Sequence, residues 1–162
     1  MKDFVARAPS YLRRLDQGAK LVYTGFLLLT ALGLLTAALL HGDGMGMTAE
    51  AAAAYWRGDE AQMTYAKSYR QLLELTHFHL FTEPVTFLVL AHLYNLGGDT
   101  LRRRAIVSVA TLGSIVLQIA LPWLVVYASA TFSVLVLPVH IVLVGGFAYM
   151  TAHATREMWG SS

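Results

Sequence analysis

Four apolar runs, at 21–40, 72–96, 105–127 and 132–153, take up most of the chain. Each is close to the roughly 20 residues that carry an α-helix across about 30 Å of hydrocarbon. Runs of that length leave little choice of fold. In a bilayer every backbone N–H and C=O must find its partner inside the protein, so the runs are expected to be helices. The third and fourth are joined by a short turn at 128–131, which makes them antiparallel neighbours. The fold expected is all-α: an integral membrane four-helix up-down bundle, one membrane domain over 1–162. Residues 1–20, with Lys2, Arg7, Arg13, Arg14 and Lys20 among Phe4, Val5, Tyr11, Leu12 and Leu15, read as an amino-terminal interfacial helix. The run behind them is too long for a signal-peptide core, and no small-x-small cleavage site stands at its end.

Composition agrees. Hydrophobic residues make up 56% of the chain and charged ones 14%, against about 45–50% and about 25% in soluble domains. No length remains for a soluble catalytic domain. The chain contains no cysteine, which excludes disulfides, thiolate iron–sulfur ligation, covalent c-type haem and Cys-based zinc sites within it. A net charge of +2 gives no argument for nucleic acid. Nine of the twelve Lys and Arg fall in 1–20, at Arg102–Arg104 or at Arg156, and three in the 42–70 loop. The positive-inside rule then predicts a multi-pass protein of the inner (cytoplasmic) membrane with both termini cytoplasmic. In the outer loop, Thr48–Arg57 reads as a short helix with a simple Thr48 cap.

The second run is the unusual one, because it carries Glu74, His77, His79, Glu83 and His92. A charged group near the centre of a span costs about 2.5–3.5 kcal/mol on insertion scales, so such groups are kept where they meet a partner or a cofactor. Neutral imidazole is the commonest protein metal ligand. The fourth run adds His140 and His153. His79 and His92 are thirteen residues apart, as are His140 and His153, a rise of about 20 Å in each helix. The two helices run the same way, and His92 and His153 both lie near the inner end. The histidines therefore fall into two depth-matched pairs.

In that layout the chain resembles the dihaem membrane cytochromes b, including the four-helix membrane subunits of quinone-linked oxidoreductases. The resemblance implies haem b, one or two per chain, with His79 and His140 on the outer iron and His92 and His153 on the inner one. His77 is the substitute for His79. It also implies a non-catalytic electron-transfer subunit that exchanges electrons with the quinone pool and with membrane or periplasmic redox subunits, docked on the 42–70 loop. One feature departs from the family, whose histidines stand nearer fourteen residues apart. A step of thirteen turns a helix by about 220°, so the two histidines of one helix leave different faces. His77 to His92 misses by about 60°, which favours His77. In the fourth helix a distortion at Gly145-Gly146 would be needed to restore the face; without it, one haem is expected, on His140 with His77 or His79.

Other readings of the same residues stand beside this one. His153 next to Arg156 reads equally as an interfacial side chain, and His41 as a solvated helix end. Glu83 before Pro84 is either a structural hydrogen-bonding group or a proton acceptor beside a quinone, with Glu74, Trp123 and Tyr127 near the same face. The segment His41-Gly-Asp-Gly-Met-Gly-Met47 offers soft ligands for copper together with His77 or His79. A scaffold with no redox role is the remaining alternative.

Overall fold

The computed structural model describes residues 11–160. It contains five α-helices: α1 (Gln17–Gly44), α2 (Ala49–Arg57), α3 (Tyr69–Leu96), α4 (Leu101–Trp123) and α5 (Val136–Trp159). A two-residue hairpin, β1 (Gly58–Asp59) with β2 (Thr64–Tyr65), follows α2. Three helical stretches are long and apolar enough to cross a membrane: Gln17–Gly44, Leu101–Ala128 and Ala130–Trp159. α3 matches α1 at 28 residues, but Arg70, Glu74, Glu83 and three histidines make it the polar member of the set.

The caps are legible residue by residue. Asp16 accepts from the Ala19 N–H, Thr48 from Ala51 and Thr100 from Arg103, each satisfying one of the orphan donors of a first helical turn. Ser68 and Gln71 form a reciprocal capping box on α3. Pro84 lies inside α3 without ending it, and Pro138 sits in the first turn of α5, where its missing N–H costs no helix bond. α4 runs past Pro122 into a wider π turn, Leu124–Ala128, and a 3-10 segment, Ala130–Leu135, leads into α5. Gly58 holds φ at +82° where the hairpin begins, and a Cβ there would lie 2.5 Å from the Thr64 carbonyl oxygen.

The long helices alternate in direction, and α5 packs against α1, α3 and α4. One end of the bundle is closed. Leu90, Leu93, Tyr94, Ile115, Phe147, Met150 and Met158 form its core. Of the amino-terminal segment, residues 1–10 lie outside the described residues. The part that follows does not simply rest on a membrane surface: Leu12 is fully buried in this core, and the Tyr11 N–H donates to the Leu96 carbonyl. At the other end α2 covers the bundle. Ala52 and Trp56 join Leu72, Leu121, Val125, Val136 and Val139, and Arg57 Nη1 donates to the Val125 carbonyl of the π turn at 3.3 Å.

The glycine pair of α5 corrects one expectation. α5 is an uninterrupted α-helix through Gly145 and Gly146, so the pair does not re-phase the histidines. Its use is close packing. A Cβ on Gly146 would collide with the Thr111 side chain of α4, while Gly145 has nothing near it. Small residues at helix contacts in membranes serve this purpose.

Candidate functional site

Between α1 and α3 the bundle is open. The gap is a groove of about 870 Å³ floored by α5 and α4 and walled largely by apolar side chains such as Phe26, Leu34, Leu75, Leu143 and Phe147. Its polar lining includes His41 and Asp43 from α1, His79, Thr82, Glu83 and Thr86 from α3, Gln118 from α4 and His140 from α5. An apolar cleft with a few convergent polar groups is the usual form of a cofactor or small-molecule site.

Glu83 organises the α3 side. Its Oε1 accepts from Gln118 Nε2 at 2.9 Å and lies 2.7 Å from His79 Nδ1. A carboxylate can only accept, so when the imidazole is neutral Nδ1 carries the hydrogen and Nε2 keeps its lone pair. That tautomer, fixed by a carboxylate on the far nitrogen, is the one metal-binding histidines adopt. Glu83 Oε2 is buried with no hydrogen-bond partner. Facing this, His140 stacks on His41, with ring centroids 4.1 Å apart and planes 13° from parallel. Stacking fixes the His140 ring while leaving its edge free. His140 Nε2 and His41 Nδ1 are both buried with no hydrogen-bond partner, an arrangement that costs free energy unless a further group occupies the site.

The residues singled out from the sequence separate cleanly. His79, Glu83 and His140 share the groove. His77, two residues from His79, is exposed on the outer surface of α3 against Phe81, so the histidine that helix phase favoured lies outside the groove and His79 lies in it. Glu74 is exposed and paired with Arg70 at 2.8 Å; it is not part of the groove. Trp123 donates to Thr76 Oγ1 at 2.8 Å and stacks on Tyr127, tying α4 to α3. Met45 lines the groove but Met47 is exposed, and among the described residues no cluster of three His, Asp or Glu is poised to hold a metal ion. Of the residues named for copper, His41, Met45 and His79 line the groove, while His77 and Met47 do not. A haem iron asks less, since the porphyrin supplies four of its ligands and the protein only two.

The inner pair is not brought together. His92 is exposed on α3, whereas His153 is turned into the closed end. The His153 ring meets Tyr94 edge-on at 5.0 Å and lies beside Tyr149 at 6.1 Å. Its Nε2 is so close under the α3–α4 turn that a Cβ on Gly97 would come within 2.7 Å of it. No macrocycle fits between these two imidazoles as they stand. What surrounds His153 is a polar cluster that the histidine pattern did not signal. Asp99 Oδ2 accepts from Tyr94 at 2.9 Å and Tyr149 at 3.1 Å, and Oδ1 from the Thr100 N–H at 2.8 Å, with Arg103 Nη1 at 3.3 Å. Burial alone would raise the carboxyl's pKa, but the Thr100 N–H, the two tyrosine hydroxyls and Arg103 together more than offset it and hold Asp99 below its ordinary value.

Two further groove residues were visible only as isolated features. Gln118 is a lone amide in an apolar helix, a signal that was available. The partnership of His41 with His140 joins helices from opposite ends of the chain, and no local pattern reveals it.

No curated protein and no solved structure matches the chain. Residues 46–162 do match a family described as a transmembrane helical domain, Aq_1264_TM. The match takes in α2 to α5, and with them His79, Glu83, Gln118 and His140; α1 and His41 lie before it. The chain is a multi-pass membrane protein, with three helices among the described residues apolar enough to span, and it belongs to the Aq_1264_TM family of transmembrane helical domains.

Proposed function

We propose that the chain is a membrane subunit of an electron-transfer complex that binds one b-type haem in its open groove, on His79 and His140. One observation carries this reading: two imidazoles from different helices line the same groove, each with an unclaimed Nε2. When bound, the haem would supply one-electron chemistry at a potential set by its ligands, burial and hydrogen bonds. The residues present fit that role. Glu83 orients His79 and raises its basicity as a ligand. The His41 ring braces His140, and the apolar walls exclude water. A single haem replaces the dihaem expectation, because His92 and His153 diverge.

In this reading α3 is the fourth span, shielded by the groove that its polar groups line. Both termini are cytoplasmic and the 42–70 segment, with α2, faces outward as the docking site for a periplasmic or membrane redox partner. Glu83, whose Oε2 is free, serves as proton acceptor for a quinone that reaches the groove from the lipid side. The chain itself catalyses nothing; it passes electrons between the quinone pool and its partner.

The test is a reduced-minus-oxidised spectrum of the detergent-solubilised protein, which should show sharp b-type α and Soret bands. His140→Ala and His79→Ala should each remove them, and His92→Ala and His153→Ala should leave them. A featureless spectrum, or bands that survive both groove variants, overturns the proposal. Copper by elemental analysis in place of haem would favour the copper-handling alternative, and neither signal a scaffold.

A further inference from the structure

The closed end has a second, smaller pocket, of about 360 Å³, beside the Asp99 cluster. Asp99, Arg103, Tyr149, His153, Arg156 and Glu157 line it. We propose that it seats the phosphoethanolamine headgroup of a membrane phospholipid.

The argument starts from which charges are already spent. Asp99 is saturated: two tyrosine hydroxyls, a backbone N–H and Arg103 all point at it. Arg103 is held in place by that contact, yet a guanidinium has five N–H donors and the single ion pair leaves others to face the pocket. Arg156 has no ion-pair partner among the described residues. Among the described residues Glu157 has only Arg13, at 3.9 Å and so at the limit of ion-pair reach. What remains is a cationic side formed by Arg156 and Arg103 next to one available carboxylate. A plain anion would meet Glu157 unfavourably and a plain cation would meet Arg156. A zwitterion satisfies both, with its phosphate on the guanidinium groups, which bind phosphate oxygens in bidentate fashion, and its ammonium donating to Glu157. A quaternary choline cannot donate there.

The position selects a lipid over a soluble zwitterion. The pocket lies where α4 begins and α5 ends. At the same level Trp159 of α5 donates to Thr24 and lies under Lys20, the kind of aromatic and basic anchor found at headgroup depth. Leu101 and Ile106, exposed on α4 near the same end, add apolar surface at this level. Basic pockets between spans at this depth are known as lipid headgroup sites.

The test uses the full chain, delipidated in detergent and titrated with phosphatidylethanolamine, phosphatidylglycerol, phosphatidylcholine and inorganic phosphate, with bound lipid counted by native mass spectrometry. Phosphatidylethanolamine should bind most tightly. Arg156→Gln should weaken it roughly tenfold, as expected for one charge-assisted hydrogen bond, and Glu157→Gln should remove the preference over the other two lipids. Both side chains sit at the pocket's edge, and unchanged thermal midpoints would show that the variants fold. Equal binding of the three lipids, unaltered affinity in Arg156→Gln, or saturation by inorganic phosphate with no lipid bound would each overturn the proposal. None of these outcomes depends on whether the groove holds haem.

Discussion

The two halves of this bundle are built from the same helices and solve different problems. In the closed half every long helix contributes side chains to one core; Asp99, Tyr94 and Tyr149 satisfy one another there, while Ser108 Oγ, Thr151 Oγ1 and His153 Nε2 are buried without partners. In the open half α1 and α3 part, and several buried polar atoms are left without partners: His41 Nδ1, Glu83 Oε2 and His140 Nε2. A membrane offers helices little hydrophobic drive to associate, so packing and hydrogen bonds must hold them together. The difference is one of space: the unpaired atoms of the open half line a groove of about 870 Å³, whereas those of the closed half lie in or beside a close-packed core, so it is the open half that has room for a further group.

The largest expected effect tests where stability resides. Met150 is fully buried in the closed core and Phe78, on the groove, is largely exposed. Met150→Ala should cost about 2–4 kcal/mol through lost contacts and the cavity left behind, read as a lowered thermal midpoint in detergent. Phe78→Ala should cost well under about 1 kcal/mol, as exposed positions do. Equal costs would remove the distinction between the halves. Next in size is the glycine pair. Gly146→Ala forces a methyl against Thr111 and should cost about 1–3 kcal/mol, whereas Gly145→Ala, with open space around it, should be neutral or slightly stabilising.

The third test uses pH. Asp99 has a folded pKa depressed below its ordinary 3.8, so the stability it contributes is fully present above the unfolded value and is lost as pH falls through the folded one. Thermal midpoints measured from pH 5 down to pH 2 should fall in the wild-type protein with a component that Asp99→Asn lacks. A slope unchanged by Asp99→Asn would mean that the cluster does not contribute to the closed half.

How much of this was legible follows from what a sequence can encode. The Thr48 cap, the short helix over Ala49–Arg57 and three of the four expected spans are local properties present among the described residues, while the second run forms a helix too polar to count as a span by composition alone. The depth of the histidines followed from helix rise, a property of one helix at a time. Which way they point did not. His77 and His79 differ by two residues and face the outer surface and the groove respectively; His92, expected as a ligand from its depth and as a lone imidazole in an apolar helix, is exposed outside the groove. Rotation about a helix axis is set by its neighbours, and in apolar spans the sequence has little amphipathic contrast from which to read it. The close approach at Gly146 and the His41–His140 stack are likewise products of tertiary packing.

The smallest expected effect is at Glu83, and its smallness is the point. Glu83→Gln keeps an acceptor oxygen for Gln118 and for His79 Nδ1, so the α3–α4 link survives, while the formal charge goes. A buried carboxylate important to folding would be costly to lose, as breaking charged networks is. Glu83 lies in the half of the bundle that does not carry the fold, with one oxygen unused. Its replacement should therefore shift the thermal midpoint by less than the equivalent of about 1 kcal/mol, in the range of tolerated substitutions. What should change is the His79 imidazole, whose Nδ1 hydrogen bond passes from a carboxylate to a weaker amide oxygen. Nitrogen-15 chemical shifts of His79 in wild type and Glu83→Gln, read beside the melting curves, separate the two contributions. An unchanged imidazole with a sharply lowered midpoint would make Glu83 a structural strut, and the open half would then be part of the scaffold.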